Sequence, residues 1–316
     1  MRTAVIGAGT IGLSWAALFA AHGAEVRVTD PRPDLADAVR EALTTFGPHL
    51  ATQGLDVRGI ADRVHLADSV AEAVHGADIV QENGPEDVEL KRKLFAEVAR
   101  EAPAHALLLS SSSAIPSTAF TGDLSTEDAA RVLIGHPFNP PHIMPLVEVV
   151  PGERTAEDAV RRAVEFYRSV GRTPVVERKE LPGFVGNRLQ NALQREAVHL
   201  VQQGVVTPAE LDTVITNSLG LRWATVGPFL GSHLGGGPGG YRHMSEHIGA
   251  SMRRMWDSLG TPSLSPESQE RVIEAVERDY GGSSYAELTK TRDRKQLAVL
   301  SATTASEKTT GSENQS

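Results

Sequence analysis

The first thirty residues restrict the fold of this chain more than any other stretch. Thr3 to Ile6 is a short run of strand formers, and Gly7, Gly9 and Gly12 follow in the spacing G-x-G-x-x-G where helical periodicity begins. Gly23 ends that helix, and Glu25 to Thr29 alternates as a second strand that stops at Asp30. The first glycine permits a tight turn, the second lets the backbone approach a pyrophosphate, and the third lets helix and strand pack closely. Helix amides then face the phosphates. An acid about twenty residues beyond the turn meets the adenosine ribose hydroxyls and repels a 2′-phosphate. The stretch is therefore expected to hold NAD rather than NADP, through Gly7, Gly9, Thr10, Ile11, Gly12 and Asp30. Arg2 and the apolar run Ile11 to Ala21 imitate a secretory leader, but a leader needs neither the glycines nor Asp30.

The chain has 316 residues, enough for two domains with separate cores. Its 40 acidic and 31 basic side chains give a net charge of −9, which argues against nucleic acid or an anionic membrane as a partner. Without cysteine there are no disulfides, thiolate metal sites or cysteine nucleophiles. No apolar run reaches the length of a membrane span. The expectation is a cytoplasmic protein that acts on a small molecule.

After Asp30, the spacing of Leu35, Ala38, Val39, Ala42, Leu43 and Phe46 predicts a helix that ends at Gly47-Pro48. Val64 to Ala67, Asp78 to Gln81, Ala106 to Leu109 and Arg131 to Gly135 read as strands. Helices are expected at Ser69 to Val74 and Pro85 to Ala99, and Thr155 to Asp158 reads as the cap of another that runs to Ser169. Alternating strands and helices predict a doubly wound α/β sheet of the Rossmann type over residues 1–180. Ligands bind beyond the carboxyl ends of such strands, which places Glu82 and Asn83 among the cofactor contacts and the serine run 110–113 near the site. From Pro182-Gly183 the pattern is all-α: Phe184 to Gln203 is a long apolar helix, and Thr207-Pro208-Ala209-Glu210 opens the next with a capping box. The segment 221–247 is rich in glycine and aromatics without clear periodicity. A helical domain over 181–301 and a disordered tail over 302–316 complete the expected organisation.

A dehydrogenase also needs a base and groups that orient its substrate. His136 stands at the end of a predicted strand, and Glu148 follows twelve residues later, across a proline-rich turn that can bring its carboxylate to the imidazole. That contact would orient the ring and favour imidazolium as it takes an alcohol proton. On the residues alone, a hydrogen-bonded core histidine and an edge-strand acid explain the pair equally well. His243 to His247 matches the zinc pattern H-x-x-E-H, but no third ligand is evident, so no metal is expected and the stretch is read as a polar helix.

GHPFNPPHIMPLVEVV at 135–150 and PGFVGNRLQNAL at 182–193 resemble the L-3-hydroxyacyl-CoA dehydrogenase superfamily, and the likeness extends from Arg2 to about Ser301. The resemblance implies an active site of Ser113, His136, Glu148 and Asn187. His136 would be the base, Glu148 its partner, and Ser113 and Asn187 the groups that bind the substrate oxygen and its neighbouring carboxyl or thioester. It also implies a homodimer formed through the helical domain.

Within the superfamily, Pro145 stands where the acyl-CoA branch usually has lysine. GLRWATVGPF at 220–229 is similar to a segment of the branch containing L-gulonate 3-dehydrogenase (lambda-crystallin) and L-carnitine 3-dehydrogenase, whose substrates are free acids. Carnitine enzymes often have aspartate where Asn187 stands. Residues 32–62 hold three arginines, no lysine and five acids, a poor surface for the phosphates of CoA. Arg222 is then a candidate clamp for a substrate carboxylate, or a bridge between helices or subunits. Trp223 could face a quaternary ammonium or belong to a core. The expected activity is NAD-dependent oxidation of a small 3-hydroxy acid to the 3-keto acid. The alternatives are a thioester substrate on CoA or a carrier protein, and a non-catalytic NAD(H)-binding structural protein of the crystallin kind.

Overall fold

The structure, a computed structural model, describes residues 1–313. The chain divides into two compact units, Met1–Arg188 and Leu189–Ser316, with the break inside a helix rather than at Pro182-Gly183.

The first unit runs β1 (Arg2–Ile6), α1 (Thr10–Ala21), β2 (Glu25–Thr29), α2 (Leu35–Thr52), β3 (Val64–Leu66), α3 (Val70–Val74), β4 (Ile79–Glu82), α4 (Val88–Glu101), β5 (Leu107–Ser110), α5 (Thr126–Ala129), β6 (Val132–Pro137), β7 (Leu146–Pro151), α6 (Glu157–Ser169) and β8 (Thr173–Val176). α7 (Phe184–Gln202) then begins. The strands form one sheet in the order β3-β2-β1-β4-β5-β6-β7-β8. Its first six strands are parallel; β7 pairs antiparallel with β6, and β8 follows β7 in parallel.

Successive strand residues point to opposite faces, so the sheet separates two apolar clusters. Val5, Leu107 and Leu109 pack with Trp15 and Phe19 of α1 and Phe166 and Tyr167 of α6. Ala4, Ile6 and Leu108 face the other way, onto Val74 of α3 and Phe95 and Val98 of α4. The chain order reverses direction between β1 and β4, which opens a crevice at their carboxyl ends.

Two local expectations are corrected. α2 continues through Pro48 to Thr52. A proline inside a helix costs about 3 kcal/mol, and the turn beyond it is held by buried Leu50 and by His49 and Gln53, which bond the ring and the carbonyl of buried His142 at 3.1 and 2.8 Å. Thr155 does not cap α6; its hydroxyl donates to Val132 O and accepts from Gly152 N, and the cap position is Ala156.

The second unit is helical: the remainder of α7, then α8 (Pro208–Thr216), α9 (Leu219–Trp223), α10 (Pro228–Gly235), α11 (Gly240–Ser258), α12 (Pro266–Tyr280) and α13 (Tyr285–Glu313). The capping box at Thr207 and Glu210 is formed in both directions. α13 occupies most of the stretch expected as a tail, and residues 314–316 lie outside the described residues.

Candidate active site

The glycine turn is shaped for a dinucleotide. Gly7 has φ +93°, and a Cβ there would lie 2.8 Å from the Asn83 backbone; one on Gly12 would lie 1.9 Å from Gly7 O. Only hydrogen fits at either position. A Cβ on Gly9 would meet nothing within 4 Å, and the first turn of α1 has no side-chain cap. The amides beside exposed Gly9 and Thr10 and half-buried Ile11 are thus open to a pyrophosphate. Asp30 accepts from Ala8 N at 2.6 Å and from Arg32 N at 2.9 Å, which ties the glycine loop to the end of β2. Arg32 is held by Asp34 through two bonds of 2.8 Å, which offsets its charge beside Asp30. These residues fit NAD.

The residues behind the turn act as supports. Asn83 donates to Ile6 O and Gln81 O and accepts from Ser111, whose hydroxyl also receives Trp15 and Gln81. Glu82, expected to face the cofactor, is instead fully buried, because Lys91 of α4 reaches under the strand to pair with it at 2.9 Å and Gly84 N donates to it at 2.6 Å.

The histidine–carboxylate pair follows from the sheet. His136 and Glu148 are register partners across antiparallel β6 and β7, so the strand reversal alone sets them side by side. His136 Nδ1 lies 2.7 Å from Glu148 Oε2, and both side chains are almost fully buried. Phe138 and Phe184 flank the imidazole. With Nδ1 committed to the carboxylate, Nε2 is the nitrogen left to take a proton. The other oxygen of Glu148 accepts from Gly186 N at the start of α7, at 2.6 Å. A Cβ on Gly186 would lie 2.5 Å from the Phe138 ring. Burial opposes ionisation of Glu148, but the bonds from His136 and Gly186 outweigh it and hold the carboxyl below its usual range.

Ser113 is exposed on the loop after β5, and Asn187 Nδ2 donates to its carbonyl at 3.0 Å. The structure thus gathers Ser113, His136, Glu148 and Asn187 at one end of the first unit's sheet. Sequence reasoning missed Glu86, whose carboxylate accepts from Ser112 Oγ, Ser113 N and Ala114 N at 2.7 to 2.9 Å and shapes the serine loop. Burial disfavours its charge, yet those donors and Lys91 lower its pKa. Its signal was an acid five residues before the buried lysine of an amphipathic helix.

Arg222 lies exposed on α9 of the second unit. His243 and His247 lie side by side on α11 with their rings tilted by 38°, and among the described residues no group of three or more His, Asp or Glu side chains gathers as a metal site. No helix among the described residues is long and apolar enough to cross a membrane.

A doubly wound sheet with a dinucleotide cradle and a histidine–carboxylate pair defines an NAD-dependent dehydrogenase. The chain belongs to the 3-hydroxyacyl-CoA dehydrogenase family: residues 2–181 match its NAD binding domain and residues 183–275 its C-terminal domain. It is 43% identical over 304 residues to a protein named L-carnitine dehydrogenase from Streptomyces griseus subsp. griseus, covering 96% of this chain and 90% of that one. It is 38% identical to a protein named 3-hydroxyacyl-CoA dehydrogenase from Gibberella moniliformis, covering 95% of this chain and 94% of that one. Among solved structures it is similar to 5-formyl-3-hydroxy-2-methylpyridine 4-carboxylic acid 5-dehydrogenase, an NAD+-dependent dismutase, with TM-score 0.78, 30% identity and coverage of 95% of this chain and 97% of that one.

Proposed function

We propose that this dehydrogenase oxidises the 3-hydroxyl of a small free 3-hydroxy acid, of the carnitine or gulonate kind, to the 3-keto acid. The observation that carries the reading is the buried His136–Glu148 pair at 2.7 Å, a general base with one nitrogen committed and the other available. NAD, which Gly7, Gly9, Thr10, Ile11, Gly12 and Asp30 would hold, would supply the acceptor for the hydride of carbon 3. His136 Nε2 takes the hydroxyl proton, and Glu148 holds the ring and stabilises the charge that develops on it. Ser113 and Asn187 orient the substrate oxygen, and burial of the pair keeps bulk water from competing for the proton.

A free acid is favoured over a CoA thioester by the charge of residues 32–62, three arginines against five acids, and by similarity to proteins named L-carnitine dehydrogenase. In this reading Arg222 clamps the substrate carboxylate. A homodimer in the cytoplasm is part of the same proposal, supported by the exposed apolar side chains of the second unit, Phe229, Leu234 and Trp256 among them. The test is NADH formation with L-carnitine, L-gulonate and 3-hydroxybutyryl-CoA compared by kcat/KM. Higher kcat/KM for a free acid is expected. Preference for the thioester would move the chain to the acyl-CoA branch, and no turnover of any of the three would favour a structural role.

A further inference from the structure

A second buried carboxyl lies beside Glu148. Glu177 lies just beyond β8, two residues after Val175, which is the register partner of Glu148. Residues two apart on an extended strand share a face. Glu177 N donates to Val149 O at 3.0 Å, and the residue is 7% exposed. The two carboxyls sit on consecutive amides at the start of α7: Val185 N donates to Glu177 at 2.8 Å and Gly186 N to Glu148 at 2.6 Å. Held on consecutive amides, the two carboxyls are neighbours, and each bears on the ionisation of the other. Ionised carboxyls only accept, so a bond between them requires that one carry a proton. Glu148 faces the imidazole, which favours its charge. Burial and the neighbouring Glu148 push the Glu177 carboxyl above its usual range. The charged groups facing Glu177 are Glu148 from β7 and His136 from β6, while α7 contributes a backbone amide.

We propose that Glu177 is a positioning residue for the oxidation: as a neutral carboxylic acid it donates a hydrogen bond to Glu148 and fixes that carboxylate on His136. The proposal rests on reading His136 as the proton acceptor. When Glu177 ionises at higher pH, the bond is lost, two negative charges face each other, and alignment of the pair suffers. The effect on stability has a definite sign. Its folded pKa lies above the unfolded value, so the folded chain keeps a proton that the unfolded chain releases between the two, and stability falls as pH rises across that window.

The test compares the full-length wild type with Glu177→Gln, which always donates, and Glu177→Val, which never does. With L-carnitine and NAD, Glu177→Gln should keep kcat within about threefold and lose the alkaline fall in the pH profile. Glu177→Val should lower kcat by about tenfold or more while KM moves less than about twofold. Glu177→Gln should also gain thermal stability over wild type as pH rises from about 5 to about 8. The infrared band of a protonated carboxyl should disappear in both variants. A Glu177→Gln protein whose melting curve tracks wild type at every pH, with that band intact, overturns the proposal even if Glu177→Val does not fold. Unimpaired turnover by His136→Ala would instead sink the reading of the base, and the band and the melting curves would still report on the Glu177 bond.

Discussion

Trp15, Phe19, Phe95 and Tyr167 of the first unit are fully buried, whereas Trp223, Phe229, Tyr241 and Trp256 of the second are exposed. The same residue types meet opposite ends. A doubly wound sheet offers two faces, and each is covered by helices from the same stretch of chain, so the first unit completes its own core. Among the described residues after Arg188, Leu297 alone of the large aliphatic and aromatic side chains is buried. The first unit closes its own core, while the second leaves large apolar side chains exposed.

The largest effect expected from breaking this contrast lies in the first unit's chemistry. His136→Ala should lower kcat by about 10² to 10⁴ and still bind NADH, as read by nucleotide fluorescence; near-normal turnover would return His136 to a structural role. Glu148→Gln keeps the shape and removes the charge that stabilises the protonated ring, so kcat should fall.

Next is Trp15→Ala, which should destabilise the protein by about 3 to 5 kcal/mol in denaturant titration. A cost near zero would mean that the core of the first unit is not where its stability lies.

Arg222→Ala tests whether the second unit contributes to catalysis. Loss of a charge-assisted hydrogen bond should lower kcat/KM for the acid by about 1.5 to 3 kcal/mol, chiefly through KM. An indifferent mutant would restrict Arg222 to a structural role.

A smaller change, about tenfold in the preference for NAD over NADP, is expected for Asp30→Ala. Wild-type enzyme that used both cofactors equally would remove Asp30 from that role. The smallest effect is that of Trp256→Ala, which should change stability by about 0.5 kcal/mol or less if the side chain is always solvated. If a second copy covers it, the melting temperature should instead fall and depend on protein concentration, with dissociation visible by sedimentation.

Legibility in the sequence followed the range of the physical effect. The glycine turn, Asp30 and the capping box at Thr207 are local devices, and each was read where it stands. Pro48 was read as a stop because nothing nearby in sequence shows that His49, Leu50 and Gln53 have partners beyond it. α9 and α10 were missed because Gly227, Gly235 and Gly236 blur helical periodicity. Glu82 was placed at the cofactor because its position after a strand is visible, whereas a lysine nine residues later reaching back beneath it is not. The donors of Glu86 and Glu177 are supplied only by the fold.

The sequence by itself determined the dinucleotide cradle, the alternation that builds the sheet and the residue types of the site, because turns, caps and periodicity depend on neighbours a few positions apart. Tertiary structure decided the rest. The antiparallel return of β7 made His136 and Glu148 register partners, and the start of α7 set two buried carboxyls on adjacent amides. Those relations join residues 8 to 38 positions apart, and the charge each group carries depends on the burial and partners that only the folded chain provides.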